Sequence, residues 1–212
     1  MTDRTYFLLS PDAPGHRIVK ERIDSYGAAV RAQSEVLKTL AAHFGWTLPP
    51  DATFVMDLDR GGFIQNVRIT CGSEALEAIL KESRVPMLHR EKTRWVEEHV
   101  RVVAKGAGYR EFKEFAKSLG KIEDVPRLGE SIWYALDKAF ERETSGCGAL
   151  EMFNGPGIQR VADDALLFTL FSTWTTWPAL LEAAGARKIK GSEALKLIED
   201  AEDATAREAV AR

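Results

Sequence analysis

Two side chains in this sequence have the type and setting for acid–base or nucleophilic chemistry. His99 stands near Trp95, Val102 and Val103. On a helix these positions share an apolar face, where a desolvated imidazole can serve as a general base. The commoner fate of such a histidine is a core position with its ring nitrogens satisfied. Cys147 lies between Gly146 and Gly148, in a glycine-rich stretch that allows exposure. A thiolate nucleophile also needs a base or a helix N-terminus beside it. No neighbour of Cys147 in the sequence supplies one. The segment Asn154-Gly155-Pro156-Gly157 would offer free N–H groups at a helix start, but it lacks the Lys-Ser/Thr pair of a phosphate loop. The remaining histidines, His16, His43 and His89, read as helix-end or surface residues.

Metal chemistry has less support. There is no Cys-x-x-Cys, no His-x-x-x-His and no calcium-loop spacing. Asp57 and Asp59 alternate along one strand and would place two carboxylates on one edge, enough for Mg²⁺ with water. The same alternation describes the wet face of a half-buried hairpin. No metal and no cofactor are assigned.

Charge is the next feature. Residues 81–121 hold eleven Lys/Arg against six Asp/Glu, whereas 193–212 hold three against six. Read as a helix over 88–105, at about 100° per residue, Arg90, Arg94, Arg101 and Lys105 form one basic stripe. A following helix adds Arg110, Lys113, Lys117 and Lys121, interleaved with Tyr109, Phe112 and Phe115. Cations for phosphates and aromatics for bases make nucleic acid an alternative partner. Glu97 and Glu98 lie on the same stripe and pair with Arg101 and Arg94 at i,i+4, as on an ordinary solvated helix.

The stretch from Ala165 to Trp177 carries no charge at all. Read as a helix over 158–177, it gathers Leu166, Leu167, Leu170, Phe171, Trp174 and Trp177 on one side and hydroxyl residues on the other. A solvent-facing helix normally carries Lys or Glu. This one is expected to be covered, either by the rest of the chain or by a partner. Trp174 and Trp177, with Trp133 from a neighbouring helix, are the candidate partner-binding residues, since tryptophan is a frequent hot spot.

These residues need elements to hold them. Tyr6 to Leu9 reads as a strand, and His16 to Phe44 as a long amphipathic helix stopped by Gly45. Residues 54–58 and 63–71 alternate as a hairpin around Asp59-Arg60-Gly61-Gly62, and Ser73 caps a helix to about 83. Candidate helices follow near 88–105, 109–119, 129–143, 158–177 and 192–208. The fold class is α+β: an N-terminal β-α-β-β-α unit (1–84) whose three strands share a small sheet, then a mostly helical C-terminal half (85–212). The two are expected to pack as a single compact domain.

Composition narrows the function classes. With 45% hydrophobic and 29% charged residues and a net charge of −3, the chain is globular and neither strongly acidic nor basic. Two cysteines make no disulfide framework, which fits a reducing cytoplasm. No apolar run reaches the roughly 20 residues of a membrane span. The leading expectation is a non-enzymatic binding or regulatory protein working through protein contacts or self-association. An accessory protein of a mobile element that blocks a host system would fit this description. The alternatives are a nucleic-acid module using Arg90, Arg94, Arg101, Lys105, Lys113 and Lys117, and a small enzyme around His99 or Cys147.

Overall fold

The structure is a computed structural model of the chain and describes residues 3–50, 52–71, 74, 88–92, 98–102, 107–142 and 149–210. For 88–92, 98–102, 107–109, 149 and 208–210 only the backbone is described. The chain is α+β and divides into two compact units, residues 1–27 with 126–212 and residues 28–125. The division does not fall at 84/85.

The first unit is built on a four-stranded antiparallel sheet. Its strands are β1 (Arg4–Leu9), β6 (Gly157–Arg160), β7 (Leu166–Phe171) and β8 (Arg187–Ile189), in the order β6-β7-β1-β8. The central pair runs from Arg4 opposite Phe171 to Leu9 opposite Leu166. Both faces of this pair are apolar. Phe7, Leu9, Leu166, Phe168 and Leu170 pack with Val19 from α1 (His16–Phe44), with Ile132, Trp133 and Leu136 from α3 (Leu128–Ala139), and with α5 (Thr176–Ala183). Leu8, Leu167 and Ile189 face the other way, onto Ala194, Leu197 and Ile198 of α6 (Gly191–Val210). Each such side chain contributes about 1.5–3 kcal/mol by leaving water.

The second unit holds another antiparallel sheet, of β2 (Thr53–Leu58), β3 (Ile64–Thr70), β4 (Leu88–Lys92) and β5 (Glu98–Val102), in the order β2-β3-β5-β4. Here burial alternates. Ile64, Val67 and Ile69 are buried, while Gln65, Asn66, Arg68 and Thr70 are only partly so. The buried positions join Met56, Leu37, Leu40 and Phe44, together with Phe112 and Ala116 of α2 (Ala107–Ser118). Residues 28–44 of α1 belong to this unit and residues 16–27 to the first. The helix ends at Gly45, whose φ of +69° only glycine adopts without strain, and the Trp46 N–H closes back on the Ala41 carbonyl at 2.8 Å.

The first strand, the long helix and the 54–71 hairpin stand where the sequence puts them, and so do the helices near 109–119, 129–143 and 192–208. The expected helix after Ser73 lies outside the described residues. Three expectations are corrected. The N-terminal strands do not share one sheet, because β1 pairs with β7 and β8 and not with the hairpin. Residues 88–105 are not a helix but contain β4 and β5, where Val100 and Val102 alternate with His99 and Arg101. Residues 158–177 are not a helix but hold β6, a 3₁₀ turn, β7 and the start of α5. The second half is still mostly helical, with strands inserted.

Candidate functional site

The corner where β7 turns into α5 is built by α4 (Ala149–Asn154). Glu151 of α4 is buried, and its carboxylate accepts the N–H groups of Thr175 (2.9 Å), Thr176 (3.2 Å) and Trp177 (3.1 Å) and the Thr176 hydroxyl. These are the unpaired donors at the start of α5, where the helix dipole also favours a negative charge. The Thr175 side chain makes no capping bond, so Glu151 does that work from another helix. The Trp177 indole N–H donates to the Glu151 carbonyl at 3.4 Å, and its ring meets Trp133 edge-on at 5.0 Å.

Locking α4 in this way leaves its other face in solvent. Leu150 and Phe153, three residues apart, are 75% and 58% exposed. Phe171, at the end of β7, is 42% exposed and packs edge-on against the half-buried Trp174 at 5.2 Å. Between that pair, Gly155 and Gly157 lies a cleft of about 210 Å³, with Arg4 on its wall. Tyr134, 52% exposed, stands on α3, which packs against α4. The Arg127 guanidinium sits 5.6 Å from the centre of the Phe153 ring and donates to the Phe153 carbonyl at 2.5 Å. The corner is thus apolar and aromatic, with the exposed arginines Arg4 and Arg127 beside it.

Of the three tryptophans singled out in the sequence, Trp133 and Trp177 are core residues, 4% and 0% exposed, and offer a partner no surface. The cover that the sequence leads one to expect comes from the chain itself, and the single helix expected over 158–177 is instead a strand to Phe171 followed by α5, which carries Trp177. Trp174 does reach the surface. Leu150 and Phe153 have no signal in the sequence, because the short helix that carries them lies in a stretch between Gly146 and Gly157 that reads as a break between helices. Glu151 was missed because its partners are 24–26 residues away. The Trp133 indole N–H and Asp137 Oδ1, one helical turn apart on α3, are buried without a hydrogen-bond partner.

Among the described residues, the basic positions expected on one helix over 88–105 lie on strands instead. Arg94 and Lys105 lie outside the described residues. The register sets Arg90 opposite Val100, and Arg101 opposite both His89 and Arg68, so the two arginines occupy alternate positions of the sheet. Lys113 and Lys117 stand on α2 beside Asp59 and Gln65, around a cleft of about 340 Å³. Phe112 is fully buried and Phe115 stacks on His43 at 3.6 Å, so neither ring is laid open for a base.

The carboxylate pair is also otherwise engaged. Asp57 takes a 3.0 Å ion pair from Arg68. Asp59 Oδ1 accepts the N–H groups of Gly61 and Phe63, and its Oδ2 accepts from Gln65. The Phe63 N–H, with those of Gly61 and Gln65 and the charge of Lys113, holds the Asp59 carboxyl below its ordinary range. Among the described residues no three His, Cys, Asp or Glu side chains converge as a metal site. The side chain of His99, which pairs with Thr70 and Glu91 in the sheet register, and Cys147 lie outside what is described. Among the described helices none is long and apolar enough to cross a membrane. Comparison with known families, curated proteins and solved structures finds no match.

Proposed function

We propose that this protein acts by binding another protein through the aromatic corner formed by α4, the end of β7 and α3. The supporting observation is a set of exposed large apolar side chains on these adjoining elements: Leu150 and Phe153 on α4, Tyr134 on the α3 helix that packs against it, and Phe171 against the half-buried Trp174. Aromatic anchors with adjacent arginine are the composition that carries binding energy at protein interfaces. Phe153 and Trp174 would enter apolar pockets of the partner, and Arg4 and Arg127 favour an acidic rim around them. A regulatory or accessory role, such as that of a mobile-element protein that blocks a host system, is the biological form we assign to such a binder.

The test is affinity purification of the tagged protein from its host, with and without nuclease, next to a Trp174→Ala/Phe153→Ala double variant. The expected result is a stoichiometric protein partner that survives nuclease and is lost from the variant, while the variant melts within a few degrees of the parent. Capture that persists in the variant, or partners that vanish with nuclease, would overturn the assignment. In the second case the basic residues at 88–121 become the next subject.

A further inference from the structure

Helix α6 contains 20 residues, about 30 Å of helix. The four strands beneath it span roughly 14 Å from first to last. The helix begins directly after β8, with Gly191 facing the Tyr6 ring of β1, and crosses towards β6. Its later turns therefore pass the edge of the sheet. A groove of about 490 Å³ lies where they do so, between Gln159, Arg160 and Val161 on one wall and Ile198, Ala201 and Glu202 on the other. Among the described residues strand β6 is the last in its sheet, with no strand beside one row of its backbone N–H and C=O groups.

We propose that this groove receives an extended segment of a protein partner, which adds to β6 as a fifth strand. A strand placed about 4.8 Å beyond β6 would lie under the passing end of α6, and every second side chain would point into the groove. Val161, Ile198 and Ala201 give an apolar floor, so the inserted side chain is aliphatic. The charge of the walls selects its neighbours. Arg160 is already bracketed by Asp164 at 3.3 Å and Asp24 at 3.9 Å. Glu202 is exposed and, among the described residues, has no ion-pair partner; the exposed Glu199 lies one turn before it, while Asp203 is paired with Arg207 at 3.9 Å. The preferred segment therefore carries Lys or Arg next to its aliphatic residue. The residues lining this groove are distinct from those of the aromatic corner, and β6 touches the corner only at Gly157.

The probe is a displayed library of random twelve-residue peptides selected on the purified full chain, followed by anisotropy titration of the enriched sequences. The expected outcome is enrichment of proline-poor sequences that alternate aliphatic and basic residues. Their affinity should fall at least tenfold in Ala206→Trp, which fills the groove from an exposed position, and severalfold in Glu202→Lys. Hydrogen exchange at residues 157–160 should slow when the peptide is bound. Failure to enrich, enrichment of acidic peptides, or binding indifferent to both substitutions would overturn the proposal. So would a dimer of the free chain that Ala206→Trp dissociates, because the occupant would then be a second copy.

Discussion

The two sheets have the same strand count and the same antiparallel pairing, yet they bury themselves differently. In the 28–125 unit the burial of β3 alternates residue by residue, with Ile64, Val67 and Ile69 inward. In the other unit β7 is buried almost continuously from Leu166 to Leu170, because α3 and α5 cover one face and α6 the other. A strand covered once writes a period of two into its sequence. A strand covered twice writes an unbroken apolar run, which periodicity cannot tell from a buried helix.

The largest effect that would break this comparison is at Trp177. If the first unit is closed on both faces, Trp177→Ala leaves a large cavity under β7 and costs about 3–5 kcal/mol. Urea unfolding should show the loss as a lower midpoint, and near-parent stability would mean that the tryptophan is not core. A paired scan sharpens the contrast. Leu167→Ala and Phe168→Ala stand on opposite faces of β7, and each should cost about 2–5 kcal/mol. On β3, Ile69→Ala should cost a similar amount, whereas Thr70→Ala should stay within about 0.5 kcal/mol. A zigzag in β7, or a flat profile in β3, would reverse the reading of the two sheets.

Legibility followed the same physics. The hairpin of β2 and β3 was readable because it alternates and closes on a local Asp-x-Gly-Gly turn. The long helix was readable from its 3.6-residue period and Gly45. The helix expected over 158–177 does not form because the apolar run bounded by glycine and proline is two elements, a strand and the start of a helix. Its length favoured a helix, and the signals that break it, Gly157 and the Asp163-Asp164 pair at positive φ, are weak in isolation. The helix expected over 88–105 failed for another reason. Charged edge strands such as Leu88–Lys92 place Glu and Arg where a solvated helix also would. The β-branched Val100 and Val102 were the better signal. In the aromatic corner Phe171 and Trp174 are legible as part of one apolar run, whereas Leu150 and Phe153 ride on a short helix anchored by Glu151 to residues 24–26 positions away.

That cap gives the next prediction. Glu151→Ala removes an acceptor shared by the N–H groups of Thr175, Thr176 and Trp177. The bonds are to a charged group and the donors at Trp177 are buried, so the cost is about 2 kcal/mol. Glu151→Gln, which keeps one carbonyl oxygen, should recover part of it. The corner should also loosen, read as faster hydrogen exchange at 175–177. Equal stability of Glu151→Ala and the parent would show that α5 starts without help from α4.

The smallest effect is the local counterpart in the other unit. Asp59 holds its own turn through the Phe63 and Gly61 N–H groups, which place its folded pKa below the ordinary 3.8. For a group depressed in this way, the contribution is complete above the unfolded value. It is lost as pH falls through the lower folded value. Acid should therefore weaken the 59–63 turn while leaving it intact at neutral pH. Asp59→Asn should remove that acid dependence, seen in the amide resonances of Gly61 and Phe63 between about pH 5 and about pH 2. Asp164, held low chiefly by its bond from Lys20 in the first unit, titrates in the same direction. The readout must therefore be local to the hairpin. An unchanged acid response in Asp59→Asn would mean that the turn is held by Gly61 and Gly62 alone, and that the hairpin was legible through its glycines and not through its aspartate.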